Sequence, residues 1–325
     1  MPSSTPMACK KQSVQPLPTL RVSDVEPPPP GTPWLIENIW MVAGVGLLGG
    51  QAKVCKTYLA AELSLAVATG RHALGRYPTL APGPVLFYGA EDTMIALRGR
   101  FEGLATTRGC DFKDLAIYLI DVPVLRLDRH DDLQRLRAAI DKCRPKLLVL
   151  DPFVRLVGNI DENSSSDVSA ILGSLRAIQR DHDVAIMVVH HARKSPAANP
   201  NQAYRGSSDF AAWSDSNLFL TRNAGKLILN VEHRSAPSPD PIHLTFDQEP
   251  APHLVPAEQS PPANPQPDTL QAKIQQELDK NARPLFTVEL RERLRRRKSD
   301  VVAALEGLRA DGVVRRGSNG WELIS

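Results

Sequence analysis

The octapeptide GQAKVCKT at residues 50–57 constrains the fold of this chain more than any other segment. It lies between a short apolar run at 45–48 and a strongly apolar stretch at 58–69, which predicts a buried strand, a loop and a helix. A loop in that setting turns backbone N–H groups inward, and the helix dipole adds positive potential, which suits a phosphate group. The residues predicted to bind a nucleotide are Gly50, Gln51, Ala52, Lys53, Val54, Cys55, Lys56, Thr57 and Tyr58.

Three side chains of this loop have particular consequences. Lys56 is predicted to reach the β- and γ-phosphates of ATP, and Thr57 to bind Mg²⁺. Cys55 stands where the usual motif has a glycine, whose backbone angles strain other residues. Three outcomes stay open: an altered but working loop, a loop that binds nucleotide and hydrolyses it slowly, and an inactive loop. The place of Cys55 at a helix N-terminus beside a lysine also predicts a lowered thiol pKa, which would allow redox control.

Apolar runs alternate with helical stretches from Trp34 to about Gln248. The predicted strands are 45–48, 85–88, 147–150, 184–189, 218–220 and 227–231, and the predicted helices are 58–69, 133–143 and 167–181. The early strands are apolar throughout, which indicates a mostly parallel sheet covered by helices on both faces. The predicted fold class is therefore α/β.

Several motifs accompany the phosphate loop in a fixed order. They are Trp34-Leu35-Ile36, Ala66-Val67-Ala68-Thr69-Gly70, Tyr88-Gly89-Ala90-Glu91-Asp92 and Gly206-Ser207-Ser208. Together with the phosphate loop, this set resembles RecA-like ATPases of the RepA plasmid-helicase type over residues 34 to 248. The resemblance implies a RecA-like ATPase that binds ATP and Mg²⁺ between the subunits of a homo-oligomer, a hexameric ring, and acts on DNA.

The resemblance also implies roles for residues that follow predicted strands. Glu91 becomes the general base, because a carboxylate beside the γ-phosphate can accept a proton from the attacking water. Asp151 follows 147–150 in the Walker B arrangement and helps to hold Mg²⁺. His190 is the predicted γ-phosphate sensor, chosen over His191 on position alone. The alternatives are a helix cap for Glu91, a turn residue for Asp151 and plain sheet-edge residues for both histidines.

Two further segments bear on assembly and on DNA. Arg234 lies where relatives of this type carry a Lys-x-Arg motif that serves the neighbouring subunit, and it fits an arginine that stabilises phosphoryl charge in trans. Arg222 is the alternative, and Glu232 reverses the charge at the lysine position of the motif. Arg193 and Lys194, in the loop 192–204, are predicted DNA phosphate contacts, or else ordinary residues of a solvated loop.

The ends of the chain differ in composition from its middle. Residues 1–32 are a predicted flexible proline-rich arm, 33–249 the RecA-like domain, 250–267 a proline-rich linker and 268–325 a small separate domain. This last domain is predicted to consist of three helices and two strands that flank Asn319-Gly320, a strong hairpin signal, which describes a winged helix-turn-helix. The chain as a whole has a net charge of +3, and this domain carries 12 Lys and Arg against 9 Asp and Glu.

Basic residues at both edges of the predicted third helix suit contacts with DNA phosphates. The candidates are Arg295, Arg296, Arg297, Lys298, Arg315 and Arg316. The helix itself has few side chains that could read bases, so that sequence-specific readout is not expected, and protein contacts are the alternative use of this domain.

Composition excludes some classes of protein. The chain contains no run of about 18 apolar residues, so we expect no transmembrane helix and no membrane partner. Its four cysteines are scattered without a Cys-x-x-Cys pair, which argues against a disulfide framework and for a reducing, cytoplasmic location.

The residues leave three functions open. The first is a DNA-dependent ring ATPase, a helicase or helicase-like factor that works with replication or mobile-element proteins. The second is a nucleotide-switched regulator that assembles on ATP, hydrolyses it slowly and binds DNA or a protein partner through its C-terminal domain. The third is a scaffold with a vestigial loop.

Overall fold

The structure is a computed structural model that describes residues 18–24, 33–158, 165–191, 208–223, 226–257, 270–281, 283–294, 296–310, 313–317 and 320–323. The chain divides into two compact units, Met1–Ala257 and Glu258–Ser325. Predictions for most of the N-terminal arm and of the linker, and for Arg193, Lys194, Gly206, Ser207 and Arg295, lie outside the described residues.

The first unit contains eleven strands and five α-helices within its described residues. The strands are β1 (Trp34–Ile36), β2 (Trp40–Met41), β3 (Val45–Gly50), β4 (Val85–Gly89), β5 (Ile117–Leu119), β6 (Leu147–Asp151), β7 (Ala185–His191), β8 (Ser216–Asn223), β9 (Lys226–His233), β10 (Ile242–Asp247) and β11 (His253–Pro256). The helices are α1 (Lys56–Thr69), α2 (Met94–Arg108), α3 (His130–Cys143), α4 (Ser165–His182) and α5 (Ser208–Trp213).

Nine of these strands form one sheet in the order β11-β10-β9-β8-β3-β7-β6-β4-β5. The six strands from β8 to β5 are parallel, and β9, β10 and β11 extend the sheet by antiparallel pairing. The predicted mostly parallel sheet is therefore confirmed, and its antiparallel extension begins with the hairpin of β8 and β9.

Both faces of the sheet are buried because alternate side chains of its central strands enter different cores. In β6, Leu147 and Val149 pack in the core that includes residues of α1 and α2, whereas Leu148 and Leu150 pack in the core that includes residues of α3, α4 and α5. Successive side chains of a strand point to opposite faces. Continuous apolar runs are thus what a sheet covered on both sides requires.

The boundary predicted at Pro250 is wrong. Residues 253–256 form β11, which pairs with β10 and buries Leu254. A buried ion pair holds this strand: Arg108 donates to both carboxylate oxygens of Glu62 over 3.1 and 2.9 Å and to the Leu254 carbonyl over 2.7 Å. Glu62 in turn accepts the Leu254 N–H. The prolines on either side of β11 suggested a linker, because the contacts of this strand with Glu62 and Arg108 cannot be seen in the local sequence.

The second unit has its own core. Its described elements are α6 (Leu270–Asp279), α7 (Thr287–Leu294), α8 (Lys298–Ala310), β12 (Val314–Gly317) and β13 (Gly320–Leu323). Ile274, Leu290, Leu305 and Trp321 from these elements pack together. Three helices followed by an antiparallel strand pair agree with the predicted order of elements and are compatible with a winged helix.

None of the helices in the described part of the chain combines the length and the apolar character that crossing a membrane requires.

The pair between Arg108 and Glu62 yields a test of the corrected boundary. Arg108→Ala would leave the Glu62 carboxylate, 1% exposed, without its cation, and we expect a loss of about 3–5 kcal/mol in unfolding free energy. Arg98→Ala is the matched control, because Arg98 pairs with Glu102 on the same helix with 54% exposure on each side, and we expect a loss of at most about 1 kcal/mol. Denaturant unfolding measures both, and equal losses would contradict the role given to the buried pair.

Candidate nucleotide-binding site

The phosphate loop connects the central strand β3 to the N-terminus of α1. A Cβ atom at Gly50 would lie 2.3 Å from the Leu220 carbonyl oxygen, so this position needs glycine. Gln51, Ala52 and Lys53 are exposed, and Val54 is buried. The loop thus presents its first residues to solvent while its base is anchored in the sheet.

Cys55 adopts the left-handed conformation, with φ 67° and ψ 28°. Glycine takes this conformation without strain, whereas a residue with a Cβ atom loses roughly 1–2 kcal/mol there. The loop therefore closes in the shape that the usual motif reserves for glycine, with cysteine under strain. The predicted lowering of the Cys55 pKa is wrong: burial raises this pKa, and the nearby Arg222 guanidinium opposes the rise only in part.

Lys56 is buried, and its ammonium group lies inside the loop. Nζ donates to the carbonyl oxygens of Gly50 over 2.9 Å and Gln51 over 2.7 Å, and it lies 3.1 Å from His191 Nδ1. Burial lowers the pKa of Lys56, and the carboxylates of Asp151 and Glu91 oppose that change. The structure thus places the positive charge of Lys56 where the loop would enclose phosphate oxygens.

Asp151 ends β6, where its carboxyl group is buried beside α1 and hydrogen-bonded to the Thr57 side chain. Burial raises the pKa of Asp151 to about 6, although the Thr57 hydrogen bond opposes the rise. The hydroxyl and the carboxylate are hard oxygen ligands of the kind that Mg²⁺ prefers.

These two residues fit a Mg²⁺ site of the usual kind. The described residues contain no group of three or more His, Cys, Asp or Glu side chains arranged for a metal. Mg²⁺ commonly takes only one or two protein ligands and completes its shell with water and substrate phosphates. A site made of Thr57 and Asp151 is consistent with this coordination preference of Mg²⁺.

Glu91 follows β4 with its side chain 45% exposed. Its Oε1 accepts a hydrogen bond from Arg155 Nε at 2.9 Å, and its Oε2 lies 4.0 Å from His191 Nε2. Glu91 does not cap α2, because the N-cap of that helix is Thr93, whose side chain accepts the Ala96 N–H. The carboxylate therefore lies at the same edge of the sheet as Lys56, with a guanidinium beside it.

The structure places His191 in the position predicted for His190. His191 contacts Lys56 on one side and approaches Glu91 on the other, whereas the His190 ring packs near Phe153 and Phe210, with ring centroids 6.2 and 4.9 Å apart. Successive residues of a strand face opposite sides, so a shift of one residue decides which histidine faces the loop. Burial and the Lys56 charge lower the pKa of His191, which favours the neutral ring.

The two candidate arginine fingers lie at opposite ends of the β8–β9 hairpin. Arg222 Nη2 is 3.9 Å from Cys55 Sγ, beside the phosphate loop of its own chain. The Arg234 N–H donates to the Asp215 carbonyl, and the Asp215 N–H to the Val45 carbonyl, at the start of β3. Arg234 thus lies at the opposite end of these strands from the phosphate loop of its own chain.

The sequence predictions missed two arginines near the site. Arg155 pairs with Glu91, and Arg100 donates to Asp92 over 2.7 Å while its guanidinium lies 4.7 Å from the Tyr58 ring centroid. Arg155 comes four residues after Asp151, and Arg100 lies within α2. The pairing of Arg155 with Glu91 joins the turn after β6 to the end of β4, whereas Arg100 and Asp92 are only eight residues apart.

The basic candidates of the second unit are surface residues where the structure describes them. Arg296, Arg297 and Lys298 are exposed at the start of α8. Arg315 bonds to Glu322 over 2.7 Å, and the Arg316 guanidinium lies 5.8 Å from the Trp321 ring centroid. The described residues of the two charged edges are therefore accessible.

Comparison with known proteins assigns the chain to a family. A sequence model of the AAA domain family matches residues 11–197, more than half of the chain, so the chain belongs to that family. The solved structure of an isolated ATPase domain matches at 14% sequence identity with a TM-score of 0.52, over 66% of this chain and 85% of that one. A DnaB-like replicative helicase, solved in a study of its interactions with primase, matches at 13% identity with a TM-score of 0.51.

The match to the replicative helicase covers 67% of this chain and spans 58% of the helicase chain. At such identities the likeness concerns the fold, and it confirms the predicted RecA-like architecture.

The raised pKa of Asp151 has a consequence for stability. Since the folded pKa of about 6 lies above the ordinary 3.8, protonation favours the fold, and the contribution of this carboxyl falls as pH rises from about 4 to about 6. Asp151→Asn removes the buried charge, so we expect it to be more stable than the native chain near neutral pH, by up to about 3 kcal/mol. Denaturant unfolding near neutral pH and at pH 4 should show that the difference in unfolding free energy between the variant and the native chain shrinks toward pH 4. A difference that is independent of pH would contradict a raised pKa at Asp151.

The strain at Cys55 can be measured with a matched pair of variants. Cys55→Gly removes the Cβ atom, whereas Cys55→Ala keeps it and loses only the thiol. We expect the glycine variant to exceed the alanine variant by roughly 1–2 kcal/mol in unfolding free energy, because only glycine accepts the left-handed conformation freely. Equal stabilities would show that the loop relaxes around alanine.

Proposed function

We propose that this protein binds ATP with Mg²⁺ and hydrolyses it as a RecA-like ring ATPase of the RepA helicase type that acts on DNA. One observation carries the ATPase part. Lys56, Thr57, Glu91, Asp151 and His191 converge beside one phosphate loop at the carboxyl edge of the sheet. Ligands of parallel α/β sheets bind at this edge.

The proposed chemistry assigns a task to each residue. Lys56 would stabilise negative charge on the β- and γ-phosphates, and Thr57 with Asp151 would hold Mg²⁺, which neutralises charge on the phosphates when bound. Glu91 would accept the proton of the attacking water. His191, between Lys56 and Glu91, would detect whether the γ-phosphate is present.

Oligomerisation and DNA binding are proposals that rest on other features. The place of Arg234, away from its own loop, supports a role at the site of a neighbouring subunit in a ring. The exposed Arg296, Arg297 and Lys298 support phosphate contacts by a winged helix. The resemblance to plasmid helicases and the likeness to a DnaB-like replicative helicase agree with this choice of substrate.

A nucleotide-switched regulator is the second candidate, and two observations favour it. Cys55 is strained at the glycine position of the loop, and Glu91 is held in an ion pair with Arg155. Both features would slow hydrolysis while leaving nucleotide binding intact. The two candidates therefore differ in turnover rather than in binding.

Steady-state hydrolysis of Mg-ATP, with and without single-stranded DNA, tests the proposal. We expect turnover that Lys56→Ala abolishes and that Glu91→Gln lowers by about 10²- to 10⁴-fold, the usual contribution of a general base. Glu102→Gln, an exposed carboxylate change on α2, is the matched control and should retain the native rate. ATP binding without turnover would reject the motor and leave the regulator.

A further inference from the structure

A cavity distinct from the phosphate loop opens beside Glu91. It has a volume of about 430 Å³ and is lined by Tyr88, Ala90, Glu91, Pro123, Val124, Arg126 and Arg155. Among these lining residues, only Glu91 belongs to the set that converges on the phosphate loop. We refer to this cavity as the β4 cleft, because Tyr88 reaches it from that strand.

The β4 cleft has a fixed cationic wall. Arg126 Nη1 donates to the carbonyl oxygens of Arg155, over 3.1 Å, and Val157. In the part of the chain that the structure describes, the side-chain hydrogen bonds of Arg126 run from Nη1 alone, so that Nε and Nη2 can serve a ligand. The hydroxyl of Tyr88 is bonded to the backbone of Leu125, which fixes the adjoining wall.

Arg155 supplies a second guanidinium, which is 62% exposed and bonded to Glu91 through Nε. The lining residues thus carry two guanidinium groups against one carboxylate, a net positive charge, and the nearby Asp132, which accepts the Arg126 backbone N–H, is itself paired with Arg135. Guanidinium groups pair well with phosphate oxygens, because their N–H groups form a fork that matches the phosphate geometry. The ligand that fits this charge is a phosphate anion.

The remaining wall is apolar. Pro123 lies beside Val124, which is 51% exposed. A free phosphate ion would leave this surface unused, whereas a nucleotide unit within a strand places a sugar and a base beside its phosphate. A positively charged groove that follows the backbone is a common feature of proteins that bind single strands, and the apolar wall of the cleft offers a surface to the adjoining sugar or base.

We propose that the β4 cleft binds a phosphodiester of single-stranded nucleic acid and that the strand takes Arg155 away from Glu91. Arg155 would exchange one anion for another, and Glu91 would be released to act on water. Arg155 is thus a positioning residue that couples strand binding to hydrolysis. The coupling rests on the proposed ATPase function, whereas binding in the cleft does not.

Binding can be measured without hydrolysis. The native tryptophans Trp34, Trp40, Trp213 and Trp321 are all buried, so an indole introduced by Val124→Trp reports on the cleft. We expect short oligo(dT) to change its emission and inorganic phosphate alone to leave it unchanged. Adding Arg126→Gln and Arg155→Gln should remove the response to oligo(dT), whereas Arg98→Gln, an exposed change on α2, should preserve it. A response to inorganic phosphate alone, or none to oligo(dT), overturns the proposed ligand.

Coupling is measured by ATP turnover. Because an exposed ion pair alters an equilibrium by a factor of roughly 1.5 to 5, we expect Arg155→Gln to raise the rate without DNA by that factor and to abolish stimulation by oligo(dT). Arg155→Lys keeps the charge and should restore the low rate. Normal stimulation in Arg155→Gln overturns the coupling. A native protein that hydrolyses no ATP refutes the proposed function, and the emission titration then still decides whether the cleft binds the strand.

Discussion

The close approach of β3 to β8 is the constraint on which the site depends. A Cβ atom at Gly46 would lie 1.7 Å from the Ser216 carbonyl oxygen, and one at Gly50 would lie 2.3 Å from the Leu220 carbonyl oxygen. Glycine at both positions lets β3 occupy the middle of the sheet, with β7 on its other side. Parallel pairing then aligns the strand ends, with Gly50 opposite His191 and Gly89 opposite Asp151. Residues far apart in sequence meet at one edge because the six parallel strands all end there.

Much of the fold follows from local signals, and the parts that do not follow depend on distant contacts. Runs such as 147–150 indicated buried strands because both faces of the sheet exclude water. β11 gave no such signal, since its place depends on Glu62 and Arg108 rather than on the prolines around it. The choice between His190 and His191 depends on which face of the sheet each of the last residues of β7 points to, which the sequence alone does not give. The pairing of Glu91 with Arg155 joins residues 64 positions apart, and no local pattern predicts it.

Burial of the site disfavours the charged forms of its own ionisable groups. Burial raises the pKa of Asp151 and lowers those of Lys56 and His191, so each charged form is less favoured than it would be in water. The groups compensate one another in part, since Asp151 and Glu91 oppose the change at Lys56. Such an arrangement is typical of sites that give up stability for readiness to bind a charged ligand. Cys55 adds backbone strain in the same place.

The hairpin of β8 and β9 extends from the phosphate-loop edge of the sheet to the opposite edge, where β3 begins. At the turn end of the hairpin, β8 places the Leu220 carbonyl beside Gly50 and the Arg222 guanidinium beside Cys55. At the open end of the hairpin, the chain leaves β9 at Arg234. Eight residues of extended strand, about 26 Å in length, separate these ends, and the paired ladder resists bending. The ladder between β8 and β9 therefore connects the position of Arg234 to the backbone beside the phosphate loop. In the ring proposed above, a contact of Arg234 with a neighbouring subunit would act on that backbone through paired strands alone.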